Sequence, residues 1–344
     1  MNNDLKDILF RCLETPSPSG NEEQVTNLFA SFVAPYVDEV QTDVCGNCIA
    51  HKKGDGPKIL IVAHADEIGL MISHIDQDGF LYFKEVGGID TQLLPGQRVS
   101  INGTKGPITG IIGKKPIHLQ DKKESGKELN PEDLWIDIGA DDKEAASNLV
   151  EIGSMATIIS DPLQVSRNLV ACKSLDDKIG LAILMGIAQS LPKNHSGKDI
   201  YLVASVQEEL GARGAQPVIN RILPDIGIAI DVTHATDYPS MSPIKDGDIG
   251  LGKGVVLPVG PNMNKTLVSS FKLIAKEKSI PYQIEPIARP TGTDARMIQV
   301  AGTGIKTGLI SIPCRYMHTP NEIVSLADAD NAIQLLTEYL LCNR

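Results

Sequence analysis

The sequence predicts an α/β protein, a three-layer sandwich with a mostly parallel central sheet, carrying an inserted small β-rich domain. Three observations support this. Continuous apolar runs such as Lys58-Ile-Leu-Ile-Val-Ala63 suit strands buried on both faces. Stretches with helical spacing alternate with these runs, as in a sheet covered by helices. From about Gly69 to Ser160 the texture becomes short, alternating and glycine-punctuated, with Gly87-Gly88 and Gly110 among the breaks.

In chain order, Leu5, Ile8, Leu9, Cys12 and Leu13 recur at helical spacing, and Pro16, Pro18 and Gly20 end that helix. Ser19-x-x-Glu22 reads as a capping box that opens a second helix, with Val25, Leu28, Phe29 and Phe32 on one face and Pro35 closing it. Cys45-Gly-Asn-Cys48 has no second pair to make a zinc ribbon, so it is read as two ordinary thiols at a hairpin turn. Within the β-rich unit, the charged stretch 120–133 is expected to be a mobile surface loop, and short strands imply exposed edges. Beyond Asp161-Pro162 the pattern gives a helix over 177–191, a strand at 199–206 and a helix near 214–222. A strand at 226–231, a helix at 264–278, a strand at 305–312 and a last helix over 325–341 follow. The expected domains are 1–68 joined to 161–344, with 69–160 inserted between them.

The chain has 344 residues, roughly two domains at ~150 residues each. Its 32 Lys and Arg against 43 Asp and Glu leave a net charge of −11, which argues against a nucleic-acid partner. No apolar run approaches the ~18–20 residues of a membrane span, so no membrane partner is expected. Six cysteines suit a reducing compartment, and the N-terminal segment carries no signal-peptide pattern. A cytoplasmic protein is expected.

The residues that end the apolar runs carry the chemistry. One run ends in His64-Ala-Asp66-Glu67, another in Asp176-Asp177, and the next strand in Glu208-Glu209. Asp231 ends the strand at 226–230, and the last strand leads to His318. Ligands of open α/β sheets bind beyond the carboxyl ends of strands, so these residues converge on one edge. Asp176, Glu209 and Asp231 as anionic ligands and His64 and His318 as neutral ones, with one hydroxide, balance two divalent ions. Oxygen and nitrogen donors without thiolate suit zinc, cobalt or manganese. Asp66 is placed to orient His64, and Glu208, beside the ligand Glu209, to act as general base. Asp177 is read as a helix cap, Glu67 as structural or peripheral to the site, and His234 and Asp294 are left open between a role near the site and a bland one. His51, His74 and His195 are read as surface or hydrogen-bonded residues, and no role is assigned to His118.

These segments resemble the TET-type metallo-aminopeptidases, the glutamyl-aminopeptidase-like peptidase family M42, some of whose members carry an endoglucanase label. The resemblance rests on His64-Ala-Asp-Glu-Ile-Gly69, Leu175-Asp-Asp-Lys-Ile-Gly180, Val206-Gln-Glu-Glu-Leu-Gly211, Ile230-Asp-Val-Thr-His-Ala235, Gly292-Thr-Asp-Ala295 and Arg315-Tyr-Met-His-Thr-Pro320, in the family's order. It implies a zinc-peptidase-like fold and two divalent ions per subunit, zinc or cobalt. It also implies that His64 and Asp231 bind one ion, Glu209 and His318 the other, and Asp176 both, with Glu208 the base and Asp66 supporting His64. The substrates implied are short peptides with a free N-terminus. The assembly implied is a homo-oligomer in which domain 69–160 makes dimers that build a dodecamer. The stretch before Gly292 reads Arg-Pro-Thr where the family often has a second glycine. A related metal-dependent amidohydrolase, a deacetylase or carboxypeptidase-like enzyme, is the alternative. A glycosidase is disfavoured, because adjacent strand residues face opposite ways and His64, Asp231 and His318 would have no task.

Overall fold

Alternate residues of a fully buried strand must find apolar partners on both faces, and the strand Lys58–His64 does so. Ile59, Ile61 and Ala63 join one core cluster, while Leu60 and Val62 join another on the opposite face. This two-sided burial makes the protein three layers, as the apolar runs predict. The structure is a computed structural model that describes residues 2–120, 128–194 and 197–342. His195 and half of the charged stretch at 120–133, residues 121–127, lie outside the described residues.

Helices Asn2–Leu13 and Glu23–Val33 precede a hairpin of Glu39–Thr42 (β1) and Cys48–Lys52 (β2), and Lys58–His64 (β3) follows. The chain then leaves the sheet. Gly69–Ile75 (β4), Leu81–Val86 (β5), Arg98–Gly103 (β6), Gly106–Lys114 (β7), Leu134–Asp137 (β8) and Met155–Ile158 (β9) close into a barrel in the order β4-β5-β8-β7-β6-β9. Closure removes the exposed strand edges expected from the sequence, because each strand finds neighbours around the ring. On return the chain forms Leu163–Gln164 (β10), Leu169–Cys172 (β11), helix Leu175–Ser190, Asp199–Ser205 (β12), helix Ala215–Ile222 and Ile226–His234 (β13). Then come Val255–Val259 (β14), helix Lys265–Glu277, Tyr282–Pro286 (β15), helix Ala295–Val300, Lys306–Arg315 (β16), Glu322–Ser325 (β17) and helix Leu326–Leu341.

The main sheet runs β1-β2-β12-β3-β13-β16-β17-β11-β10, with β14 and β15 branching from β16. Its long ladders, β12 on β3, β3 on β13 and β13 on β16, are parallel, and antiparallel strands flank them. Register then sets the site. Ser205 pairs with His64 and Ala229 with Val62, so Asp231, two residues further along β13, reaches the level of His64. Helix Leu175–Ser190 is buried along nearly its whole length, which explains why its sequence is apolar all round. Among the described residues no helix is long and apolar enough to cross a membrane.

Two local expectations are settled here. Asp43 organises the β1–β2 turn by accepting from the backbone N–H groups of Cys45 and Asn47, and both thiols of Cys45-Gly-Asn-Cys48 are free. The capping box is overturned. The Ser19 hydroxyl donates to Asp66 Oδ2 at 2.6 Å, and Glu22 Oε1 accepts from the N–H groups of Gly20 and Gln207, so neither side chain caps the helix. A buried carboxylate outcompetes a helix end for a hydroxyl, because a hydrogen bond to a charge is the stronger one.

Glu67 is structural, as expected. Its Oε1 accepts from Ser17 N–H at 2.7 Å and from the Lys178 ammonium at 3.2 Å, and its Oε2 meets Lys173 and Ser174. Glu67 and Lys178 are fully buried. Two buried ammoniums thus depend on one carboxylate, which ties the end of β3 to helix Leu175–Ser190. Glu67→Gln is expected to lower stability by about 3 kcal/mol, the usual cost of breaking a buried ion pair from one side. A fall in the urea unfolding midpoint at unchanged slope would show it.

Candidate active site

His64, Asp176, Glu208, Glu209, Asp231 and His318 line one cavity of about 430 Å³ at the carboxyl edge of the parallel strands. They come from five separate segments of the chain. The Asp176 carboxylate stands between the two imidazoles, with Oδ1 3.0 Å from His64 Nε2 and Oδ2 3.3 Å from His318 Nε2. Asp231 Oδ1 lies 4.0 Å from His64 Nε2, and Glu209 Oε1 lies 3.4 Å from His318 Nε2. Donor atoms of His64, Asp176 and Glu209 all fall within 4.8 Å of one another, and so do those of His64, Asp177 and Asp231. Imidazole nitrogens and carboxylate oxygens at such separations fit divalent ions, each within ~2.0–2.2 Å of its ligands.

The electrostatics point the same way. Burial alone would raise the Asp176 carboxyl, yet hydrogen bonds with His318 and His64 hold it well below the usual carboxylate range. At Asp231 the pull of His64 is outweighed. Burial and the charges of Asp176 and Asp177 push its carboxyl well up. Burial, then the charges of Asp294, Glu209 and Asp66, push Glu208 up to about 8 against the opposing pull of His64. The hydrogen bonds with Asp176 and Glu209 raise His318 to about 11, while His64 is raised by Asp176 and Asp66 in spite of its burial. The imidazoles are the counter-charges the chain itself brings, and they do not balance the carboxylates around them. Buried acid in this excess calls for cations.

Asp66 is fully buried and works on two fronts. Its Oδ1 and Oδ2 accept from the N–H groups of Glu208 and Glu209 at 3.0 and 3.1 Å, so it fixes the turn that presents both glutamates. His64 Nδ1 lies 3.1 Å from the Asp66 backbone oxygen and 3.4 Å from Oδ1, so the backbone carbonyl is the nearer partner. Asp177 Oδ1 accepts from Gly180 N–H at 3.0 Å and caps the helix that follows. A Cβ on Gly180 would come within 2.3 Å of that carboxylate, which is why glycine stands there.

Asp294 is buried, its Oδ2 accepts from the Ser205 hydroxyl at 2.6 Å, and it makes no helix-capping hydrogen bond. His234 is exposed and lines the cavity. His51 bonds Asp199 at 2.6 Å, and His74 and His118 are exposed.

Several contributors escaped the sequence reading. Glu322, 1% exposed, accepts from Asp176 N–H at 3.0 Å and from His318 N–H at 2.8 Å, so one carboxylate seats two of the cavity's side chains. Burial and the charge of Asp176 push Glu322 up to about 8. The only signal was its place four residues after His318. Gly87 and Gly88, at the end of β5, bring the barrel against the cavity. Gly87 sits at φ +80°, where a Cβ would lie 2.7 Å from Ile68, and a Cβ on Gly88 would lie 3.2 Å from His318 Nδ1. Glu285, on β15, also lines the cavity.

Paired imidazoles and surplus buried carboxylate at the edge of a parallel sheet are the equipment of a metal-dependent hydrolase. Comparison with known proteins narrows this class. The model of the M42 glutamyl aminopeptidase family matches residues 46–335. The chain is 38% identical to the lysyl aminopeptidase of Pyrococcus furiosus, over 97% of this chain and 96% of that protein. An aminopeptidase of the archaeon Desulfurococcus kamchatkensis superposes with a TM-score of 0.92 at 34% identity, covering 98% of this chain and 95% of that one. The Pyrococcus horikoshii TET1 peptidase, which can assemble into a tetrahedron or a large octahedral shell, superposes with a TM-score of 0.88 at 30% identity, covering 98% and 99%. The chain belongs to the M42 glutamyl aminopeptidase family and is an aminopeptidase, a metallopeptidase hydrolysing peptide bonds.

Asp66→Asn keeps the shape of the side chain but removes the charge that holds the Glu208–Glu209 turn. Activity or divalent-ion affinity is expected to fall about 10- to 100-fold, the usual effect of losing such a supporting carboxylate. Aminoacyl-substrate kinetics over a range of added metal would separate the two.

Proposed function

We propose that the protein is a co-catalytic di-metal aminopeptidase that removes the N-terminal residue of short peptides. His64 and Asp231 would hold one divalent ion, Glu209 and His318 the other, and Asp176 both. The observation that carries this reading is the Asp176 carboxylate, which turns one oxygen to each imidazole. Zinc or cobalt suits the donor set. Ions of this kind, when bound, polarise the scissile carbonyl and lower the pKa of water.

The chain's own residues supply the rest. Glu208 takes a proton from water as the water oxygen adds to the carbonyl carbon. It returns that proton to the amide nitrogen as the C–N bond breaks, leaving a free amino acid and a shortened peptide with a new amine terminus. Its neighbour Glu209 is turned toward His318, so the two glutamates are free for different tasks. Surplus carboxylate around the cavity favours a substrate that arrives with a free ammonium. A blocked N-terminus lacks that charge.

The proposal extends to assembly. The inserted region 69–160 would make dimers, and dimers would build a dodecamer. Ile111, Ile117 and Leu119 stand 44%, 69% and 68% exposed on or beside the barrel, which suits a surface that a second copy covers. The TET1 peptidase among the structural neighbours can assemble into a tetrahedron or a large octahedral shell.

Glu208→Gln is expected to lower kcat by about 10²- to 10⁴-fold with metal content retained. In the same assay a chelator should stop the trimming of a free peptide, added zinc or cobalt should restore it, and the N-acetylated peptide should survive. Loss of metal from Glu208→Gln would reverse the roles of Glu208 and Glu209, and rapid cleavage of the acetylated peptide would favour the amidohydrolase alternative. Light scattering is expected to find at least a dimer, with a twelve-subunit particle as the largest species. A fully active monomer would overturn the assembly.

A further inference from the structure

We infer that Glu285, reaching the cavity from β15, selects the side chain of the N-terminal residue and makes this enzyme prefer lysine or arginine there. The inference rests on the aminopeptidase reading above.

The Glu285 Oε1 atom accepts from the Thr233 hydroxyl at 2.9 Å. The second oxygen, Oε2, is buried and has no hydrogen-bond partner. A buried carboxylate oxygen left without a donor is costly, and native structures rarely keep one without a purpose. Glu285 lines the same cavity as the His64–Asp176–His318 cluster, and among the described residues no lysine or arginine lines that cavity. His234 lines it too, but it makes no hydrogen bond to Glu285 Oε2. Glu285 Oε2 is thus an acceptor that a cationic substrate side chain can complete.

The reach fits. Thr233 lies two residues beyond Asp231 on β13, so the two side chains share a face and stand about 6.6 Å apart along the strand. An extended lysine stem spans roughly 6 Å from Cα to Nζ. A substrate whose terminal residue sits over Asp231 can place its ε-ammonium at the carboxylate that Thr233 holds. Ile287 also lines the cavity and would cover the methylene stem. Burial pushes the Glu285 carboxyl up, against the pull of the Thr233 hydroxyl, and an incoming ammonium would favour its ionised form. An acidic side chain in the same place would meet a like charge.

The test measures kcat/KM on lysyl, arginyl, leucyl and glutamyl p-nitroanilides. The native enzyme should rank lysyl and arginyl above leucyl, and glutamyl last. In Glu285→Gln the lysyl-to-leucyl ratio should fall about 10- to 100-fold, the worth of a hydrogen bond to a charged group. Glu285→Lys should place glutamyl above lysyl, and Glu285→Asp should keep the native order. A merely structural role would lower all substrates alike. Native preference for leucyl or glutamyl over lysyl would overturn the inference, as would an unchanged ratio in Glu285→Gln, while leaving the aminopeptidase reading in place. If no aminoacyl substrate is cleaved with zinc or cobalt present, both readings fall together.

Discussion

Buried negative charge at one edge of the sheet is the constraint around which this molecule is built. Asp66, Asp176, Asp231, Glu208 and Glu322 are each less than a tenth exposed, and His64 and His318 are the imidazoles among them. The protein handles this charge in two ways. Some carboxylates are spent on backbone N–H groups. Asp66 serves the Glu208–Glu209 turn, and Glu322 serves Asp176 and His318. Others, Asp231 and Asp176 above all, face the cavity. An interior that carries charge unpaired would pay heavily in desolvation, so the second group has physical sense only with cations.

The first group explains how a site drawn from distant segments stays in register. Gln207 and His318 both adopt left-handed backbone conformations, with φ of 55° and 63°. Such conformations cost non-glycine residues energy and persist where the surroundings over-determine them. Here each is pinned through its own N–H by a carboxylate, Gln207 by Glu22 and His318 by Glu322. The barrel closes in from the other side, where Gly87 and Gly88 leave room for Glu209 and His318. Supporting acids, backbone bends and glycines therefore act as one device for presenting side chains.

The cavity walls differ in chemistry. The wall formed by the ends of β3, β13 and β16 and by Asp176 holds the imidazoles and the acids between them. The wall formed by β15 and the adjoining loop carries Glu285, Ile287 and Pro290. The first wall comes from the ends of the central parallel strands and the segments that follow them. The second comes from an edge of the sheet, where side chains can change without disturbing the central ladders.

Most of the fold and most of the site were legible in the amino-acid sequence, for a physical reason. Strands buried on both faces must be written as continuous apolar runs, and a charged residue that ends such a run has one place to go, the sheet edge. His64, Asp176, Glu209, Asp231 and His318 could be singled out on that ground, and the structure brings them to one cavity. Closure of the barrel was not legible, because strand pairing at long range leaves no mark in any single segment. The partners of Ser19, Glu22, Glu285 and Glu322 were not legible either. Local spacing gave Ser19 and Glu22 to a helix cap, and only the tertiary structure, by burying Asp66 and the Gln207 N–H beside them, offered stronger partners. Which side chains reach the cavity follows from chain position along strands, whereas the partners that support them follow from contacts between segments far apart in sequence, which folding alone decides.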